Sequence, residues 1–225
     1  SSAASDVYKR QLRDSEYVGD CEFTNYLNGK ENTDTRHLGS RSTLIRYPLA
    51  ESIVRKVDDA ADFRSMRNVV SARKPFGLDT AVVPSKGDLT LRYNKGSGPF
   101  PRERVSVGRD MIDKWKIALS YLTSEHAGQP AKDGTYRVFS TMELLPPGHV
   151  CTETYLTVGS YASKEEAERM FAHMRTKLVR FLVLLRAVTQ HITRDCFEFA
   201  PLPVGGAADD AELYRKYGPV SYTHL

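Results

Sequence analysis

The sequence predicts an α+β fold: a mixed sheet of short strands packed on one long amphipathic helix in the C-terminal half, with a few short helices. Three observations lead there. "DLTLRYN" (88–94) alternates apolar and polar residues as a half-buried strand does. "VCTETYLTVGSY" (150–161) is rich in the Thr, Tyr and Val that favour strands. Ser163 followed by Glu166 is a capping-box pattern ahead of an apolar run of helical period.

Taken in chain order, "CEFTNYL" (21–27) reads as a short alternating strand, and the polar "NGKENTDTRHLGSRS" after it as a loop. "TLIRYP" (43–48) is a second strand candidate. Pro48 opens a helix that places Leu49, Ile53, Val54 and Val57 on one side. "ADFRSMRNVVS" has room for a helical turn or two. "ARKPFGLDT" breaks regular structure at Pro75 and Gly77, and "KGSGPFPRE" reads as a turn-rich link. "RDMIDKWKIALSYL" is a short helix feeding a strand, and "TSEHAGQPAKDG" a loop. From Lys164 the helix is expected to run to about Val188, and "DDAELYRKYG" forms a last short helix.

On a wheel, Ala167, Met170, Phe171, Met174, Leu178, Phe181, Leu182 and Leu185 share one broad face, which is core. Arg169, His173, Lys177 and Arg180 share a neighbouring stripe. Val179 and Val183 carry the apolar surface further round, so the helix is expected to be buried on two sides. The stripe is either a solvated flank or a line of cations following a nucleic-acid backbone.

Both ends look foreign to the rest. Asp6–Gln11 can be encoded GAT-GTG-TAT-AAG-AGA-CAG, whose reverse complement in another frame gives Val-Ser-Tyr-Thr-His and the start of a Leu codon, the sequence of the last residues. Such an inverted repeat resembles the mosaic end of a sequencing-library transposon. Residues 1–11 and 219–225 are therefore expected to be adapter-derived scars, and Leu12–Gly218 a gene fragment.

The chain carries 32 Lys+Arg against 28 Asp+Glu. The scars hold Lys9, Arg10 and Asp6, which leaves the remainder at +3, a mildly basic balance. The three scattered cysteines and the absence of any C-x-x-C argue against zinc and suit a reducing cytoplasm. No apolar run reaches membrane-spanning length, so no membrane partner is expected. No P-loop, Rossmann, H-E-x-x-H or G-x-S-x-G motif occurs. Glu143 and Glu153 flank a strand region, and a nuclease-like metal site would want more carboxylates and a lysine.

Five strings occur in order: "SARKPFGLDT" (71–80), "DKWKIALS" (113–120), "VCTETYLTVGSYASKEEAERM" (150–170), "RTKLVRFLVLLRAVTQHITRDCFEFAPLP" (175–203) and "AELYRKYG" (211–218). Together they resemble the C-terminal half of adenine-specific DNA methyltransferases of bacterial restriction–modification systems, and "GDCEFTNYLNGK" resembles the segment just after the last strand of the family's catalytic domain. The resemblance implies that 12–60 is the end of the catalytic-domain region and linker, and 61–218 a DNA target-recognition domain. The family's Asn/Asp-Pro-Pro-Tyr motif is missing; "LLPPGH" (144–149) has neither the preceding Asn or Asp nor the following aromatic residue. The glycine-rich S-adenosylmethionine motif is missing too. The implied partners are double-stranded DNA and a missing N-terminal catalytic domain that binds S-adenosylmethionine; this fragment carries no catalytic residue and no cofactor.

Each candidate DNA contact stands against a plainer reading. Arg73 and Lys74 precede a proline turn, where cations are either presented to phosphates or solvated. Lys114 and Lys116 bracket Trp115, itself expected in the core. Thr152 and Thr154 share one face of the expected strand, with Glu153 and Tyr155 on the other. Lys177, Arg180, Gln190 and Arg194 lie on the long helix and just beyond it. His191 reads as a capping or packing histidine. Two other functions stay open: part of a restriction endonuclease with its own cleavage site at Glu143 or Glu153, and a structural or subunit-contact domain.

Overall fold

The computed structural model describes residues 16–27, 30–37, 45, 48–123, 137–187, 189–203 and 209–217. Both expected scars, most of the "TLIRYP" segment and nearly all of the "TSEHAGQPAKDG" loop lie outside the described residues. The chain divides into two compact units between Leu44 and Ile45.

The first unit holds an antiparallel pair, β1 (Cys21–Leu27) and β2 (Lys30–Arg36), in register from Cys21↔Arg36 to Leu27↔Lys30. β1 falls where the alternation places it. β2 corrects the expected loop over Lys30–Arg36, where polar residues pair with β1 along its whole length; Asn28 and Gly29 lie outside the described residues.

The second unit is α+β. Helix α1 (Pro48–Asp58) buries Ala50, Val54 and Val57. A single 3-10 turn, Met66–Val69, comes next. One small sheet has β3 (Leu89–Tyr93) between antiparallel β4 (Gly96–Phe100) and parallel β7 (His149–Cys151). The other has β5 (Trp115–Ser120) between antiparallel β6 (Met142–Leu145) and β8 (Tyr155–Tyr161). β4 corrects the expected link at 95–103: Tyr93 pairs with Gly96, closing a tight hairpin. The expected single strand at 150–161 is two strands in different sheets, divided at Thr152–Thr154, where the Thr152 N–H donates to the Arg92 carbonyl (3.1 Å) and the Tyr155 N–H to the Thr152 carbonyl (3.0 Å). Gly159, at φ 67°, sits where β5 and β8 shift register, a conformation that favours glycine.

The long helix is two. α2 (Lys164–Met174) starts with the capping box the sequence announces: the Glu166 N–H donates to Ser163 Oγ (3.2 Å), and the Ser163 N–H to Glu166 Oε2 (3.4 Å). α3 (Lys177–Arg186) begins afresh. Thr176 serves both ends, its hydroxyl donating to the His173 carbonyl (2.7 Å) and accepting from the Val179 N–H (3.4 Å). The Asp210 carboxylate accepts from the Lys177 N–H (2.7 Å) and, more weakly, from the Leu178 N–H (3.4 Å). Asp210 opens α4 (Asp210–Tyr217), which lies where expected. These acceptors satisfy N–H groups that a continuous helix would pair internally, so they stabilise the break.

Two cores fill this unit. One gathers α1, α2, α3 and α4 on Ile117, Leu119, Leu156 and Val158; Val179 and Val183 are both buried in it, as the apolar outer side of the wheel predicts. The other packs Phe76, Leu89, Leu91, Phe100, Ile112 and Val150 with Ala118. β5 thus feeds one core from each face. Cys21, Cys151 and Cys196 are free thiols. Among the described residues no helix is long and apolar enough to cross a membrane.

Candidate nucleic-acid interface

Arg73 and Lys74 sit in the turn before β3. Lys74 holds φ 62°, and its carbonyl accepts from the Gly77 N–H (3.0 Å). A left-handed, non-glycine residue ahead of a proline costs on the order of 1 kcal/mol, and the side chain helps hold it there. Its ammonium bonds Asp79, which raises the lysine's proton affinity, and lies 3.8 Å from Glu153.

Glu153 is the hub of this turn. Its side chain is 10% exposed and takes Arg73 Nε at 3.1 Å. It also accepts from the Thr80 N–H (3.2 Å) and the Thr80 hydroxyl (3.1 Å). The Glu153 N–H donates to the Leu78 carbonyl (2.8 Å), which ties the 152–154 turn to the 73–80 turn. Burial of a carboxylate demands such partners.

The Arg73 guanidinium also lies over the Tyr121 ring, 5.0 Å from its centroid. Tyr121 comes just after β5; its N–H donates to the Thr154 carbonyl (2.9 Å), and its carbonyl accepts from the Ile192 N–H (2.8 Å). Leu122 bridges to His191, and the Thr123 N–H donates to the Gln190 carbonyl (2.9 Å). The rings of Tyr121 and His191 meet at 4.7 Å, tilted by 31°. His191 is exposed, so it packs on one side only.

Of the ten expected residues, Arg73 and the Thr154 carbonyl meet Tyr121 directly, while Lys74 joins through Glu153, Thr152 through Thr154, and Gln190 through its backbone carbonyl to the Thr123 N–H. Thr152 needs correction. It is fully buried, and its hydroxyl donates to Thr154 Oγ1 (3.1 Å), so it supports the turn from below. Thr152 and Thr154 do not share a strand face, because the strand ends at Cys151.

Lys116 is the second correction. It is 0% exposed, with Nζ donating to the carbonyls of Lys114 (2.8 Å), Ile112 (3.2 Å) and Pro146 (3.4 Å) and lying 6.0 Å from the Phe76 centroid. It shares a β5 face with Ala118 and so points into the second core. Trp115, expected inside, is only half-buried. Burial pushes the Lys116 amine down to about 8 and the Cys151 thiol up to about 12. Lys114 is exposed at the start of β5, roughly 20 Å of strand from Tyr121.

Lys177 and Arg180 belong to the first turn of α3, the end remote from Gln190, with Lys177 exposed and Arg180 half-buried. His173, on the same expected stripe, is fully buried, its Nε2 bonded to the Pro201 carbonyl (2.7 Å). The break at Thr176 takes it off the stripe. Arg194 is exposed on the 3-10 turn Arg194–Phe197, beside Asp195, which is paired to Arg67 Nε (2.6 Å).

Glu143 is paired to Arg92 Nε (2.5 Å), and the Arg92 guanidinium covers the Tyr155 ring at 5.0 Å. Both carboxylates singled out for metal chemistry thus face arginines. Among the described residues no group of three or more His, Cys, Asp or Glu is placed to hold a metal. Tyr121 is the contributor that sequence reasoning misses. It lies inside an apparent strand run, and its partners Arg73, Thr154 and His191 meet it only in the fold. Comparison of the chain with protein-family models, with curated proteins and with solved structures finds no match.

Proposed function

We propose that this chain is the DNA-binding, target-recognition part of a site-specific adenine DNA methyltransferase of a restriction–modification system. The observation that carries the proposal is that the Arg73–Lys74 turn, the Thr154 carbonyl and the backbone of Gln190 meet at the Tyr121–His191 pair, from segments far apart in sequence. The family-like strings in their order supply the partner's identity. Cations fix register on phosphates, whereas a glutamine amide reads the adenine edge with two hydrogen bonds. Lys114, Lys177, Arg180 and Arg194 offer further phosphate contacts outside that cluster.

Methyl transfer would belong to the parent's N-terminal domain, which would hold S-adenosylmethionine and the extruded adenine. Gly77, Gly87 and Gly159 could not cradle that donor, being closed off by Ser106, by the backbone of Phe100 and Pro101, and by Tyr161.

The test is anisotropy of a fluorescent DNA duplex titrated with the chain. Arg73→Ala with Lys74→Ala weakens binding across all duplex sequences, as does Lys177→Ala with Arg180→Ala; Gln190→Ala costs about 1–3 kcal/mol at one base and relaxes preference there. A folded chain that binds no duplex, or whose affinity neither double variant lowers, overturns the proposal.

A further inference from the structure

We infer that Glu153 is an internal competitor for DNA phosphate: it holds Arg73 and Lys74 in place while cancelling their charge, and surrenders Arg73 when a backbone phosphate arrives. The inference rests on the function proposed above and adds the residue that sets how strongly the surface attracts DNA of any sequence.

Arg73 and Lys74 face Asp79 and Glu153, two cations against two carboxylates, so the turn is neutral as it stands. A neutral cluster releases no net counterion on meeting a phosphate, because each carboxylate set free recruits a cation from solution. Salt-dependent attraction is thereby removed from the two cations best placed on the surface.

The placement of the pair suits an exchange. Arg73 is exposed while Glu153 is nine-tenths buried, so the guanidinium caps the carboxylate from outside with solvent above it. Arginine's planar fork pairs with carboxylate and phosphate in the same geometry. Glu153 would not be stranded by the swap. Thr80 keeps two hydrogen bonds on Oε1, and Lys74 is 3.8 Å from Oε2. Arg73 would not be lost either, because Tyr121 holds its guanidinium at 5.0 Å. The 152–154 turn is fixed independently through the Glu153 N–H to Leu78 and the Tyr155 N–H to Thr152.

The experiment measures affinity of the full chain for a labelled DNA duplex of mixed sequence over a range of salt, for wild type, Glu153→Gln, and Glu153→Gln with Arg73→Ala. Glutamine keeps an acceptor for Thr80 and removes one charge. The single variant is expected to bind tighter at low salt, and its slope of log affinity on log salt to steepen by about 0.9, worth roughly 3.5-fold in affinity between about 50 and about 200 mM. Adding Arg73→Ala abolishes the gain. Asp79→Asn, which keeps an acceptor for Lys74 and removes the other carboxylate charge, gives a gain in the same direction. Duplex binding by wild type with no change in any of these variants means that the pair merely holds the turn, and overturns this inference alone. Binding by neither wild type nor variants overturns the proposed function and this inference together.

Discussion

Replacing Lys116 with methionine is predicted to stabilise the protein at neutral pH. Lys116 is fully buried between Phe76 and three carbonyls, and its amine is pushed down to about 8 from 10.5 by burial. A lysine with a depressed folded value binds fewer protons than the unfolded chain between those two values. Stability therefore rises with pH across that window and is lower below it. At about 1.4 kcal/mol per unit, the buried charge costs at most about 3.5 kcal/mol at pH 7. Methionine removes that cost at similar volume and takes one donor from each carbonyl. Ile112 and Pro146 keep backbone donors, from Gly148 (2.9 Å) and His149 (3.2 Å). The loss at the Lys114 carbonyl is about 1 kcal/mol. The net gain is then about 1–2 kcal/mol at pH 7, and it disappears towards pH 10 as the wild-type amine becomes neutral. Urea unfolding followed by circular dichroism, for both proteins at pH 7 and pH 10, reads this directly. A methionine variant less stable than wild type at pH 7, or a gap of equal size at both pH values, refutes the reasoning. Duplex affinity is expected to be unchanged by this substitution.

The remaining predictions concern the helices. Asp210→Ala removes the carboxylate that caps α3 and is expected to cost about 1 kcal/mol, read as a lower urea midpoint with unchanged slope. His173 is held neutral, its proton affinity lowered by burial and only partly restored by the Pro201 carbonyl and by Glu212. The folded state thus binds a proton less readily than the unfolded chain. Stability is full above the unfolded value near 6.5 and falls as pH drops below it, by up to about 1.4 kcal/mol per pH unit. His173→Gln, which keeps a donor for Pro201, is expected to flatten that acid slope in thermal melts, and an unchanged slope would assign it to other groups.

Legibility in the sequence depends on where each signal resides. The start of α2 is local: Ser163 and Glu166 are three residues apart and cap each other. The end of α2 is not, because the carboxylate that opens α3 comes from Asp210, 33 residues beyond Lys177. β4 and β2 were concealed by composition, since glycines and polar side chains serve a hairpin as well as a loop. Lys116 shows the limit of reading charge without register. β5 is buried on both faces, so alternation along it separates two cores instead of core from solvent. In the candidate site, Arg73 and Lys74 were legible as cations in a proline turn, and Gln190 as polar chain after a helix. The Tyr121–His191 contact that joins them needs the Leu122 bridge, which no spacing in the sequence encodes.

The proposed function requires that this chain hold duplex DNA through its cations. The most direct measurement is the affinity of the folded, wild-type chain for a mixed-sequence duplex as a function of salt. The expected affinity falls linearly, on logarithmic axes, with salt, with a slope steeper than about −1, as neutralisation of more than one phosphate requires. Salt-independent binding, or none by a chain shown to be folded, would contradict it.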